Sequence, residues 1–276
     1  MRRILGPAVA LLAILLAAGI GSPSAKADDL NPLVDKWEFN LGGFFLASNT
    51  DITLYSNLLE EGTQINFEDD LGFDDSGTSF HLDAAYRIGR RHQISAGYYQ
   101  LQRDTTYQIN FEFDWGDETF PVDATVTGYF DMTFLEFGYD YWMLTKERTA
   151  LSIGLSLSWI KVESGLGVGD VEGSIGTDLS SDVPVPTIAL ELRQILVQRL
   201  RLNAGLGYMT LSPIPDYKGN VWRSHIGLEH HTWKHVGFGL KYTYDAYDIT
   251  KEDGSVLDWD IAFDLSGFEA YLHFMF

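Results

Sequence analysis

Hydrophobic and polar residues alternate along most of this chain. In "SFHLDAAYRIG" one face carries Phe80, Leu82, Ala84, Tyr86 and Ile88, and the other His81, Asp83, Ala85 and Arg87. "TFLEFGYDYWM" sets Leu135, Phe137, Tyr139, Tyr141 and Met143 against Glu136, Gly138, Asp140 and Trp142. "ALSIGLSLSW" sets Leu151, Ile153, Leu155, Leu157 and Trp159 against serine and glycine. The stretches 200–209 and 236–243 repeat the arrangement. A period of two is that of a strand with one apolar face. No stretch beyond the first residues sustains a 3.6-residue period, so the chain is read as all-β.

Ten strands are predicted, near 35–56, 78–88, 92–113, 121–144, 149–163, 185–196, 199–211, 220–230, 235–249 and 256–276. A count of eight or twelve follows if 92–144 is divided differently. The connections alternate. Short polar turns sit at 89–92, 145–149, 197–199 and 230–234; longer acidic loops sit near 58–77, 115–120, 164–184, 212–220 and 250–255. Tight turns on one rim and long loops on the other describe a closed antiparallel transmembrane β-barrel. Several strands are about twice the 9–11 residues needed to cross a bilayer, so they should project beyond the outer leaflet. A soluble β-sandwich would alternate too, but would not need aromatics near its strand ends. Here Trp37, Tyr86, Tyr98, Tyr141, Trp233, Tyr242 and Phe274 suit interfacial girdles.

The last strand, "FEAYLHFMF", places Phe268, Ala270, Leu272, Phe274 and Phe276 on one face. Such an edge invites pairing, and in lipid a sheet must close on itself. It would therefore pair with the first strand, "KWEFNLGGFFLAS". The sequence resembles the Gram-negative outer-membrane β-barrel superfamily, including small porin-like members, across everything after residue 27. Their final strand ends in Phe behind alternating apolar residues, an ending read by the barrel-assembly machinery. Leu272, Phe274 and Phe276 match it. "GTQINFEDDLGFDDSGTSF" is likewise similar to a segment of uncharacterised barrels. The resemblance implies assembly into the outer membrane, in contact with its lipid and lipopolysaccharide, but brings no catalytic residues.

Residues 1–27 read as a signal peptide: Arg2 and Arg3, an apolar run from Ile4 to Ile20, then Ala25-Lys26-Ala27, with cleavage after Ala27. Residues 28–276 form one barrel domain. Removing the leader takes the net charge from −20 to −23, since Arg2, Arg3 and Lys26 leave with it. That sign argues against nucleic acid, whose phosphates need Lys and Arg. The chain has no cysteine, hence neither a disulfide framework nor a lipoprotein anchor.

With apolar faces turned to lipid, the lumen receives Asp83, Arg87, Glu136, Asp140, Glu191, Arg193, Arg223, Glu229, Lys241 and Asp245, with His81 and His225. Both signs are present, and buried charge is tolerable only when paired. A ten-stranded interior lies near the size that side chains fill. The expectation is a largely filled lumen and a structural, interactive or narrow porin-like role. The alternatives are a diffusion channel and an outer-membrane hydrolase. Ser79, His81 and Asp83, alternating along one strand face, would supply the hydrolase with nucleophile, base and orienting carboxylate. The loop carrying Glu60, Glu61, Glu68, Asp69, Asp70, Asp74 and Asp75 has the oxygen ligands divalent cations take. Its spacing matches no ordered calcium loop, so a solvated anionic loop is the reading. "HHTWKH" offers His230, His231 and His235 as zinc ligands, although polar residues are expected in a turn. No motif calls for a cofactor.

Overall fold

The computed structural model describes residues 35–56, 62–115, 118–168, 175–211, 217–251 and 257–276. The expected leader, its cleavage point after Ala27, and Glu60 and Glu61 lie outside the described residues. Thirteen strands occur among those residues and no helix: β1 Trp37–Ser56, β2 Gly62–Asn66, β3 Ser76–Ile88, β4 His92–Gln108, β5 Phe113–Trp115, β6 Glu118–Phe120, β7 Thr125–Thr145, β8 Thr149–Val168, β9 Ile175–Val197, β10 Leu200–Thr210, β11 Tyr217–His230, β12 Val236–Lys251 and β13 Leu257–Met275. Ten form a closed antiparallel ring in the order β1-β3-β4-β7-β8-β9-β10-β11-β12-β13, with β13 pairing back onto β1. β2 lies outside this ring, against the far part of β1, and β5 and β6 form a separate hairpin. These three are too short to show a period among the loop residues around them.

The seam is complete. β1 and β13 pair from Glu38 opposite Met275 to Ser56 opposite Leu257. Beyond it, the Phe276 N–H donates to the Trp37 carbonyl at 2.9 Å, and the Phe276 carbonyl accepts from Lys36 at 2.8 Å. Every ring strand is paired with two neighbours, although residues 175–187 of β9 are not paired with β10 and residues 100–108 of β4 are not paired with β3. The tight turns follow β3, β7, β9 and β11; Gly89 takes a φ of +69° in the first of them, a conformation suited to glycine.

Side-chain parity holds along the ring strands apart from irregularities at Trp142/Leu144 of β7 and Leu200/Arg201 of β10, yet along the long strands its chemistry inverts halfway. On β13 the outward face runs Asp260, Ala262, Asp264 and Ser266, then Phe268, Ala270, Leu272 and Phe274. The inward face runs Trp259, Ile261, Phe263 and Leu265, then Gly267, Glu269, Tyr271 and His273. β7 does the same in reverse. Leu135, Phe137, Tyr139 and Met143 are exposed on its outer face near the short turns, and Val126, Phe130, Met132 and Phe134 are buried inside near the long loops. The long ring strands thus have a proximal half, toward the short turns, that is apolar outside and polar inside. Their distal half is polar outside and apolar inside.

The outward apolar runs Leu135–Met143, Leu151–Trp159 and Phe268–Phe276 each cover nine residues, the length of one bilayer crossing by a tilted strand. Aromatic side chains mark both limits: Trp37 and Trp233 at one, Tyr98, Trp159, Tyr208 and Tyr242 at the other, all exposed. These are the positions of interfacial girdles.

The distal interior is a hydrophobic core. After β2 the chain turns inward, and Phe67, Leu71 and Phe73 join Phe130, Leu101, Ile160, Val185, Ile249 and Phe263. Phe67 stacks on Phe73 at 4.9 Å between ring centroids and meets Phe130 edge-on at 5.3 Å. Arg103 of β4 also enters this core. Its guanidinium pairs with the Glu68 carboxylate and donates to Ser48 Oγ at 2.9 Å and Thr50 Oγ1 at 2.7 Å. Glu68 is therefore not part of a solvated acidic loop: the turn that carries it folds into the barrel, where the pair satisfies a charge that would be costly alone.

Candidate functional site

The proximal lumen holds a cavity of about 290 Å³ to which every ring strand contributes lining residues. Two features of the sequence create it. β8, β10 and β12 turn small residues inward, among them Gly154, Ser156, Gly205, Gly207 and Gly239. Long polar side chains then lie sideways over these gaps rather than across the centre. A Cβ at Gly154 would sit 2.4 Å from Asp140 Oδ1, one at Gly205 2.2 Å from Glu191 Oε1, and one at Gly239 2.1 Å from the Tyr271 ring. Gly239→Ala is therefore expected to destabilise the barrel by about 1–3 kcal/mol through overpacking, read from urea unfolding in detergent. The Tyr271 ring has little freedom to yield, because its hydroxyl donates to Glu229 at 2.7 Å.

The charged side chains form three groups. Nearest the short turns, Glu38 accepts from Arg193 at 2.8 Å and lies 3.5 Å from Arg87, while Arg201 pairs with Glu229. The Arg87 and Arg193 guanidinium carbons stand 5.5 and 4.8 Å from the Trp142 ring centroid, within cation–π range. Gln93 ties the indole to this group, accepting from Trp142 Nε1 at 3.2 Å and from Arg87 at 3.0 Å. In the second group Lys241 lies 2.7 Å from Glu269, and His81 bridges Glu269 and Asp83 at 2.8 and 3.0 Å. In the third, Arg223 contacts both Glu136 and Asp245, the latter at 3.3 Å, and Ser158 donates to Glu136 at 2.8 Å. His225 lies 3.2 Å from Glu191, and Asp140 accepts from Ser152 at 3.1 Å.

Glu38, Arg201, Glu269 and Tyr271 join this network although the sequence reading does not assign them to it. Each sits on the inward face of a recognised strand, so alternation is the signal that finds them.

Ser79, His81 and Asp83 are not assembled as a nucleophile, base and orienter. The Ser79 hydroxyl donates to the Gln100 carbonyl and, at 3.2 Å, to that of Phe80. His81 makes its contacts with Asp83 and Glu269 instead. Those three form the single grouping of His and carboxylate atoms close enough for one metal ion among the described residues. Lys241 lies 2.7 Å from Glu269 and supplies one positive charge beside that grouping. The acidic turn does not converge on one point either. The Asp69 N–H donates to Asn66 Oδ1 at 2.7 Å, Asp70 accepts from the Asn66 N–H at 2.8 Å, and Asp74 and Asp75 are exposed. The three histidines of "HHTWKH" diverge. His230 contacts Thr232 Oγ1 at 3.0 Å, His235 contacts the Met275 carbonyl at 2.9 Å, and His231 turns inward.

No protein-family description and no curated protein matches the sequence. Among solved structures, the chain is similar to the outer membrane protease OmpT from Escherichia coli, with a TM-score of 0.60 and 9% identity over 91% of this chain and 100% of that one. It is also similar to the translocator domain of the autotransporter NalP from Neisseria meningitidis, with a TM-score of 0.50 and 10% identity over 98% and 94% of the two chains. At these identities the likeness is one of fold.

Proposed function

We propose that the chain is an integral outer-membrane protein with a closed lumen, serving as a structural or interaction platform rather than a diffusion pore. One observation carries this reading: the distal interior is filled by the apolar core around Phe67, Leu71, Phe73, Phe130 and Phe263. Proteins pack such cores densely, with few voids wider than a water molecule. The cavity beneath it is then a blind chamber, and its ion pairs brace the wall.

The nine-residue apolar belt supports placement in a bilayer in contact with lipid and lipopolysaccharide. The terminal strand with Leu272, Phe274 and Phe276 supports delivery by the barrel-assembly machinery. On this reading the long loops and the polar-coated distal half stand outside the cell. The purified protein in planar bilayers should show no stepwise current; resolved conductance steps would replace the closed platform with the channel reading.

A further inference from the structure

At the short-turn end of the lumen, His231, His273 and Met275 meet around a strip of β12 that has no side chains. His231 follows the end of β11, His273 and Met275 are inward residues of β13, and β12 runs between them. The inward positions of β12 at this level are Gly237 and Gly239. A Cβ at Gly237 would lie 3.4 Å from the Cα of His231, and one at Gly239 would enter the Tyr271 ring. This gap lets side chains from β11 and β13 touch across an intervening strand. The two imidazoles sit edge to face with centroids 5.5 Å apart, and His231 Nδ1 lies 3.1 Å from Met275 Sδ. His231 is 4% exposed, Met275 3% and His273 1%.

The hydrogen bonding of these rings is incomplete in a particular way. His273 Nδ1 stands 2.6 Å from Asn40 Oδ1, an acceptor, so Nδ1 carries the proton and Nε2 holds a lone pair. That Nε2 is buried without a partner. His231 has Met275 Sδ on one side and the Glu229 carboxylate 3.8 Å from Nε2 on the other. A neutral imidazole cannot suit both neighbours. With the proton on Nδ1, the Nε2 lone pair faces a carboxylate; with it on Nε2, the Nδ1 lone pair faces sulfur. Buried polar atoms left in this state are rare and costly.

We propose that His231 Nδ1, His273 Nε2 and Met275 Sδ form a binding site for one copper(I) ion. A cation between these atoms removes both mismatches. The ring separation suits two imidazoles sharing one ion at about 2 Å from each nitrogen. Thioether with imidazole is a soft donor set, and the nearest carboxylate, Glu229, is already held by Arg201 and Tyr271. Asn40 acts on the site through His273, fixing its tautomer as partners of metal-ligating histidines do.

The test uses the full chain, folded in detergent, stripped with chelator and titrated anaerobically with copper(I) against a chromophoric competitor. One equivalent should bind per chain. Met275→Leu and His273→Gln should each weaken binding at least tenfold, while His230→Ala and His92→Ala leave it unchanged. X-ray absorption of the wild-type complex should show two nitrogens at about 2.0 Å and one sulfur at about 2.3 Å. Heat-modifiable mobility establishes that each variant is folded, and the absorption spectrum needs no variant. Failure to compete with the chelator, binding indifferent to Met275→Leu and His273→Gln, or a shell without sulfur would each overturn the site.

Discussion

Arg103→Ala is expected to lower the stability of the barrel by about 3–5 kcal/mol, the cost of leaving one partner of a buried ion pair alone. The carboxylate left behind, Glu68, would keep its hydrogen bonds from the Thr50 N–H at 2.8 Å and the Thr50 hydroxyl at 3.1 Å. It would have no cation within an apolar core. The guanidinium also stands 4.8 Å from the Phe130 ring centroid and 5.7 Å from that of Phe73, so the variant loses packing as well as charge. The double variant Arg103→Leu with Glu68→Leu removes both charges and should recover most of the loss, because apolar replacements of buried pairs are often neutral or better. Unfolding in urea, followed by tryptophan fluorescence, reads all three proteins. A single variant as stable as the parent would mean that Glu68 reaches water and that the turn at 67–73 is not packed inside.

The second large effect comes from the inversion of polarity along the strands. Leu155 lies at the centre of the outward apolar run of β8 and is 60% exposed on the isolated chain. Arginine there should cost about 2–4 kcal/mol in a bilayer, as charge at the membrane midplane does in β-barrels. Gln102 faces outward too, but from the distal half of β4, opposite Asp131. Gln102→Arg should change stability by no more than about 0.5 kcal/mol. The pair is measured by unfolding from lipid vesicles. Equal costs at the two positions would mean that the bilayer does not end between them.

The ring of ten strands was legible because a period of two survives along whole segments and because short and long connections alternate. Parity, too, was legible: Asp83, Glu136, Arg193, Arg223 and Lys241 lie on the inward faces that alternation assigns them. The inversion was not. At Phe134–Leu135 two apolar neighbours sit on opposite faces, one in the core and one on the belt, and alternation cannot say where one role ends and the other begins. The acidic segment misled for a related reason. In "FEDDLGF" the carboxylates dominate the composition, whereas Phe67, Leu71 and Phe73 decide the direction of the turn, with Arg103 waiting 35 residues away in sequence for Glu68. The meeting of His231 and His273 depends on strand adjacency. Its only sequence trace is the pair Gly237 and Gly239 on the strand between them.

The closing seam has a kinetic consequence. Its two strands meet across a separation of 233 residues at Asn40 and His273, and a ladder that waits on contacts this distant along the chain forms slowly. Until then each end strand exposes a row of backbone groups longer than a bilayer is thick, and lipid offers them nothing to bond. Acquisition of the native ring should therefore be all-or-none, with the final pairing as its rate-limiting event and the half-built sheet as the species most in need of a chaperone.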